Sequence, residues 1–434
     1  TEKYFYSITM MQLTQGFQNA LAATRQSNAA RQPGASPEIE TTVREICQAV
    51  QAEGDDALLR YERQFGCPTL LANDLRVEQY EINAAWNSVS DSAKNALQHA
   101  AANIEEFHQH QPRGDWNATS KDGVNYGQRY LPIDRVGLYA PHGRAVYPST
   151  VLMLGIPAKV AGVPEVVLAS PADKAGNAHP LILAAAQIAG ISEIYKIGGA
   201  QGMAALAYGT ATIPRVDKIS GPGSIYVTLA KKYLYGAVGI DGLFGPSEVA
   251  IVADENADPA RLAIDLMAQA EHGADSFVCL IVTSNELAQK VLLMLEEKVQ
   301  GRPREEILRL SLSSSSLFVV DQIDEAITLC NTIAAEHVEI WSDDAQSISQ
   351  KIKHAGAIFL NTPVPFGDYI AGPSHTLPTG TTARFAAGVG VDTFLKRSSI
   401  VSASPEALSK MSDDLATLAT LEELPAHADA AKVE

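Results

Sequence analysis

From residue 136 onward, short apolar runs alternate with stretches of helical period, and this rhythm predicts most of the architecture. VGLYAP at 136–141, VPEVVLASP at 163–171, ISEIYKIGG at 191–199, VDKISGPGS at 216–224 and VGID at 238–241 read as strands with their exits. Between them the spacing of apolar residues predicts helices over 151–160, 181–189, 203–207 and 227–233. Strict alternation of this kind means a parallel sheet covered by helices on both faces. A second series starts at 249–253, an apolar run that reads as a buried strand after the Gly245-Pro246-Ser247 turn. Asp258 then caps a helix with Pro259 in its first position, Leu262, Leu266 and Met267 on one side, and a stop at Gly273. Strands over 277–282, 317–320, 337–341 and 357–360, with helices over 287–299, 327–333 and 348–352, complete the second unit. The segments 302–306 and 313–316 read as a polar interruption.

The flanks are less regular. One helix is expected over 11–25 and a break at Gln32-Pro33-Gly34-Ala35. A Ser36-Pro37 start leads to a helix ending at Gly54, and a further helical stretch stops at Gly66. A strand-like 75–77 precedes helices to about residue 110, with Trp86, Leu97 and Phe107 facing inward. His108 and His110 fall on different faces and are expected in solvent. Beyond about Gly390 the pattern suggests short helices only.

Composition narrows the function. A formal charge of −17 over 434 residues argues against nucleic acid, which selects a basic surface. Cys47, Cys67, Cys279 and Cys330 show no Cys-x-x-Cys spacing, the usage of a reducing compartment. There is no basic start leading into an apolar stretch and no run near the ~20 apolar residues that span a bilayer, so a cytoplasmic location is expected.

Four residues could gather a metal. Gln269 and His272 are three apart on one helix face, Asp368 sits in the Gly/Pro-rich FLNTPVPFGDYIAGPSH, and His427 lies near the C-terminus, five residues after Glu422. Oxygen and nitrogen donors without thiolate suit a catalytic zinc or another divalent ion. Read alone, Asp368 serves equally as a turn-former and His427 as a tail residue. Glu336-His337 falls at a helix-to-strand junction. Neighbours on a regular strand face opposite ways, so this junction must be irregular if both are to act. Tyr139, Gly198-Gly199-Ala200-Gln201 and Gly221-Pro222-Gly223-Ser224 fall at strand carboxyl ends, where glycines let backbone approach a phosphate. The Gly-x-Gly-x-x-Gly fingerprint is absent, and plain strand-to-helix turns explain these residues as well.

From about Val43 to His427 the chain resembles the histidinol dehydrogenase family. The resemblance is carried by VGLYAPHGRAVYPSTVLM, IGGAQGMAALAYGT, VDKISGPGS, GPSEVAIVAD with QAEHG, AAEHVEI, FGDYIAGPSHTLPTG and LEELPAH. It implies a zinc-dependent, NAD-linked dehydrogenase that takes L-histidinol through the aldehyde to L-histidine. It assigns Gln269, His272, Asp368 and His427 to zinc, and Glu336 and His337 to catalysis. NAD is placed near Tyr139, Gln201 and Ser224, and substrate near Ser247, His375 and Glu422 as well as the metal ligands and His337. The resemblance further implies a homodimer whose tail reaches the partner's active site. The expected fold is α/β, with two Rossmann-like parallel-sheet domains and small helical extensions. The expected division is 1–32 as N-terminal extension, 33–138 with 247–389 as the zinc and catalytic domain, 139–246 for NAD, and 390–434 as tail.

Four positions depart from the family pattern. Ser224 replaces the usual Asn, Phe244 a common Ala, His142 a Gly, and Val364 a Glu four residues before the GDY aspartate. Placed in a substrate wall, Val364 and Phe244 would mean a lost carboxylate and added bulk. That would favour a paralogue oxidising another small polar alcohol, such as a sulfonated diol. A catalytically silent binding homologue is the remaining possibility, disfavoured because all six metal and catalytic residues are present.

Overall fold

The computed structural model describes residues 10–31, 36–112, 114–142 and 145–431, so the Gln32–Ala35 break lies outside the described residues. The chain opens with β1 (Gln12–Gln15) and α1 (Phe17–Arg31), followed by α2 (Pro37–Glu53), α3 (Asp55–Phe65), α4 (Gln79–Ser88) and α5 (Asp91–Gln109). A ribbon, β2 (Trp116–Thr119) and β3 (Val124–Pro132), leads into the first alternating series. That series is β4 (Arg135–Tyr139), α6 (Pro148–Ala161), β5 (Glu165–Ala169), α7 (Pro180–Ala189), β6 (Glu193–Tyr195), α8 (Gly199–Tyr208), β7 (Lys218–Ser220), α9 (Ile225–Leu234) and β8 (Gly239–Ile240). The second runs β9 (Glu248–Ala253), α10 (Pro259–Ala270), β10 (Phe277–Val282), α11 (Asn285–Val299), α12 (Glu305–Ser313), β11 (Ser316–Val319), α13 (Ile323–Ile333), β12 (His337–Trp341), α14 (Ala345–Ser349), β13 (Ala357–Leu360) and α15 (Val364–Tyr369). β14 (Leu395–Ala403), α16 (Pro405–Leu421) and α17 (Pro425–Ala430) close the chain.

Both series build the expected parallel sheets. One has the order β6-β5-β4-β7-β8, the other β1-β11-β10-β9-β12-β13. Without β1 they share one doubly wound order, in which the first strand of each series is central and the direction of winding reverses beside it. β9 is buried along its whole length, as a strand covered on both faces must be.

The two sheets meet a shared cleft with opposite edges. The five-stranded sheet presents its carboxyl edge, through Pro141 after β4 and Pro222 after β7. The six-stranded sheet presents its amino edge, through Ser247 and Glu248 at the start of β9 and Glu336 and His337 at the start of β12.

Several expectations are corrected. Residues 11–25 are not one helix: Gln12–Gln15 pair in parallel with Ser316–Val319 as an edge strand, and Gly16, at φ 82°, turns the chain into α1. The two segments expected as a polar interruption overlap the ends of a helix, α12, whose Leu308 and Leu312, between them, reach the core. Beyond Gly390 lies a nine-residue strand, β14, paired antiparallel along the full length of β3. Its LKRSSIVSA sequence carries no apolar alternation because nearly every residue is exposed. His108 is fully buried and its Nδ1 lies 2.8 Å from the Ile104 carbonyl, whereas Phe107 is exposed. Helices α2 to α5 pack on α6 to α9 of the five-stranded sheet, so residues 37–109 belong to that layer, not with 247–389. Val77 N–H bonds the Ile194 carbonyl and Lys196 N–H that of Leu75, tying this region to β6. Conversely, β1 and α1 belong to the six-stranded sheet. Among the described residues no helix is long and apolar enough to cross a membrane.

Candidate active site

The cleft between the sheets has a volume of about 860 Å³. Ser224, Ser247, Gln269, His272, Glu336, His337, Asp368 and His375 all line it, which brings eight of the expected site residues together from distant segments. A side cavity of about 260 Å³ shares Gln269, His272 and Asp368 with it and adds Arg304 and Glu271.

Each position follows from local structure. The Asp258 carboxylate takes the Ala260 N–H, starting α10, which ends at Ala270 and leaves Gln269 in its last turn and His272 just beyond it. Asp368 rides on the short α15, and the Glu339 carboxylate accepts the Val364 N–H at its first residue. At the end of α13, Ala334 adopts a left-handed conformation (φ 50°), which reorients the chain just before Glu336. That is the irregular junction the sequence required. Both side chains then turn onto one residue: Glu248 N–H donates to Glu336 Oε2 at 2.9 Å, and His337 Nδ1 lies 3.0 Å from the Glu248 carbonyl.

The carbonyl can only accept, so Nδ1 carries the proton of a neutral His337 and Nε2 holds the lone pair. Nε2 is buried, has no hydrogen-bond partner among the described residues, and lies 3.2 Å from Asp368 Oδ1. His375 is fixed at both nitrogens, Nδ1 2.9 Å from the Asp368 carbonyl and Nε2 3.0 Å from Thr150 Oγ1.

Burial raises the Glu336 carboxyl well above the ordinary carboxylate range. Burial pulls the His337 ring down, but the Glu336 and Asp368 carboxylates outweigh it and the net displacement is upward. His272 is held below its ordinary value by burial, so the neutral, ligating imidazole is favoured. Gln269, His272 and Asp368 line the same space beside the His337 imidazole, and their oxygen, nitrogen and oxygen atoms are donor types that suit a divalent ion. Among the described residues no group of three or more His, Cys, Asp or Glu is placed so that it could hold a metal ion by itself.

Other expected residues stand apart. His427 and Glu422 are exposed on the tail, outside the cleft of their own chain. Tyr139 and Gln201 are buried beneath the Gly198–Gly199 turn and do not line the cleft, and Gln201 Nε2 donates to Glu62 at 3.1 Å. Val364 is 3 % exposed and packs in the core of the six-stranded layer, so it is no part of a substrate wall. Phe244 touches the cleft but spends its ring on the interior, 4.9 Å from Lys231 Nζ. His142 stacks edge-on against His179 with ring centroids 5.2 Å apart.

Pattern reading missed Arg31, Glu248 and Thr150, all of which line the cleft. The only signal for Glu248 was a carboxylate heading an otherwise apolar strand.

The Histidinol dehydrogenase family model matches residues 29–434. The chain belongs to the histidinol dehydrogenase family of oxidoreductases. It is 48% identical over 396 residues to "Histidinol dehydrogenase 2" of Trichormus variabilis, covering 91% of this chain and 92% of that one. It is 47% identical over 397 residues to the histidinol dehydrogenase of a Synechococcus species, covering 91% and 92%. Its fold superposes on the crystal structure of histidinol dehydrogenase from Elizabethkingia anophelis with a TM-score of 0.91 at 36% identity, over 98% of each chain.

Proposed function

We propose that this protein is a homodimeric, zinc-dependent, NAD-linked dehydrogenase that oxidises L-histidinol through the aldehyde to L-histidine in two hydride transfers. The observation that carries the reading is the His337 ring, its Nδ1 committed to the Glu248 carbonyl and its Nε2 turned toward Asp368 in the cleft that Gln269 and His272 also line.

Zinc held by these three residues, with His427 from the tail of a second copy, would supply Lewis-acid polarisation of the substrate oxygen. The turns carrying Tyr139, Gln201 and Ser224 would hold NAD, which would supply the hydride acceptor. His337 takes the hydroxyl proton at Nε2 as the first hydride leaves the alcohol carbon, giving aldehyde. In the second round Glu336 removes a proton from water as its oxygen adds to the aldehyde carbon, and His337 returns its proton from Nε2 to the aldehyde oxygen, giving the hydrate. His337 takes the hydroxyl proton of the resulting hydrate while the second hydride departs, giving the acid. A carboxyl raised by burial is a stronger base than an ordinary one, which suits Glu336 to this step. Ser247, His375 and, from a second copy, Glu422 complete the substrate contacts.

The location of Val364 inside the core takes away one of the departures that favoured a different alcohol, the lost carboxylate. Four free, buried cysteines accord with a cytoplasmic enzyme. The deciding experiment is NADH formation with L-histidinol and a panel of small polar alcohols, a sulfonated diol among them. Two NADH per histidinol, lost on chelation and restored by zinc, is expected. Turnover of another alcohol with none of histidinol overturns the substrate assignment.

A further inference from the structure

We infer that Arg31 and Glu248 form the positioning pair of this active site, setting the attitudes of both Glu336 and His337; the inference rests on the catalytic roles proposed above.

Glu248 is 3 % exposed and both its carboxylate oxygens are fully used. Oε1 accepts Arg31 Nε at 3.0 Å and Gly380 N–H at 2.9 Å; Oε2 accepts Arg31 Nη2 at 2.6 Å and Glu336 N–H at 3.3 Å. The same residue's peptide holds the two catalytic side chains, N–H on Glu336 and C=O on His337. Glu248 and Glu336 thus clasp each other reciprocally, each N–H donating to the other's carboxylate. Any rotation of the Glu248 peptide moves the Glu336 carboxylate and tilts the His337 ring together.

Arg31 fixes that peptide. It is the last residue of α1, and its guanidinium reaches the Ile333 carbonyl, the Asn28 side chain and the face of the Phe277 ring at 4.0 Å. One planar group therefore joins α1, β9, the end of α13 and the start of β10. The fork geometry is specific to arginine, whose two parallel N–H bonds match a carboxylate. Burying an ion pair generally costs as much desolvation as its attraction returns. Stability alone is a poor reason to keep one at the floor of a cleft; orienting two reacting groups is a better one.

The test compares steady-state kinetics, on whichever alcohol the native enzyme oxidises, of Arg31→Lys, Arg31→Ala and Glu248→Gln, with circular dichroism and metal content for each. A misplacement of about an ångström can cost on the order of 10²-fold in rate. The expected result is a kcat fall of that order with alcohol KM and bound metal unchanged, and recovery of Arg31→Ala kcat by added guanidinium. Native kcat in the folded Arg31→Lys and Arg31→Ala proteins overturns the inference. So does a loss of fold or metal that tracks the loss of kcat and does not respond to guanidinium, since that assigns the pair to stability. Using the native enzyme's own substrate keeps this outcome separate from failure of the histidinol assignment.

Discussion

His337 Nε2 and Asp368 Oδ1 lie 3.2 Å apart, so the proposed base and a proposed metal ligand share one small space. A cation on Asp368 would draw its carboxylate toward His272 and Gln269 and free Nε2 for substrate. The proposed mechanism would then need the metal to bind before the chemistry.

The metal assignment predicts that His272→Ala loses most of its bound zinc, read by elemental analysis per subunit, with activity lost in parallel. His427→Ala should lower zinc similarly although the residue lies outside its own chain's cleft. Full occupancy in both variants would remove the four-ligand assignment.

If the tail crosses to a second copy, inactive His272→Ala and His427→Ala subunits should complement each other. A heterodimer carries one cleft with intact His272 that receives the intact tail. Recovery approaching half the native activity per heterodimer is expected after mixing and reassociation. Verified heterodimers without activity would place the tail on its own subunit.

The two catalytic residues should separate by stoichiometry. His337→Asn slows oxidation of alcohol and of supplied aldehyde alike. Glu336→Gln keeps more of the first step, so NADH per alcohol falls from two toward one as aldehyde escapes. Loss of one proton-transfer group costs about 10²–10⁴-fold. Conversion of added aldehyde to acid by Glu336→Gln at the native rate would refute this division.

Glu62 gives a pH dependence away from the metal. Burial pushes its carboxyl up to about 7 despite the hydrogen bonds from Gly198 and Gln201. A carboxyl that titrates higher in the fold than in the unfolded chain stabilises through its proton. That contribution is complete below about pH 4.5 and is lost as pH rises through about 7. At about 1.4 kcal/mol per pKa unit its ceiling is roughly 3–4 kcal/mol. Glu62→Gln should flatten the fall in Tm between about pH 4.5 and 7; an unchanged slope would locate that fall elsewhere.

Val364→Glu tests where that side chain sits. Here a new carboxylate enters the core beside Glu339, whose own carboxyl is already raised to about 8 by burial and by Asp265. A loss of at least ~3 kcal/mol in unfolding free energy is expected, with no gain in histidinol affinity. A stable variant with lower histidinol KM would return Val364 to the substrate wall.

The parallel strands were legible because burial on both faces forces continuous apolar runs such as Val249–Ala253, and their order follows from short helical crossovers. β1 and β14 were not, because exposed edge strands carry no such runs and their partners lie far away in sequence. The motif residues were legible one at a time. What joins them was not: Arg31 and Glu248 are 217 residues apart, and no local pattern announces a contact of that span. The misplacement of Val364 has the same origin, since proximity in sequence to Asp368 says nothing of which way a short helix turns its first residue.

That the two sheets face the cleft with opposite edges gives it an electric polarity. In a parallel α/β layer each helix runs against its strands, so a carboxyl edge is ringed by helix beginnings and an amino edge by helix ends. The five-stranded side accordingly offers the first turns of α6 and α9, through Tyr147, Ser149, Ser224 and Ile225, where fractional positive charge gathers. On the six-stranded side α1, α10 and α13 all finish, bringing fractional negative charge to Arg31, His272 and the Glu336 junction. A field of this sense would favour the phosphates of the proposed dinucleotide at one wall and the proposed metal ion or an ammonium group at the other. The backbone thus sorts the ligands of the cleft by sign before any side chain touches them.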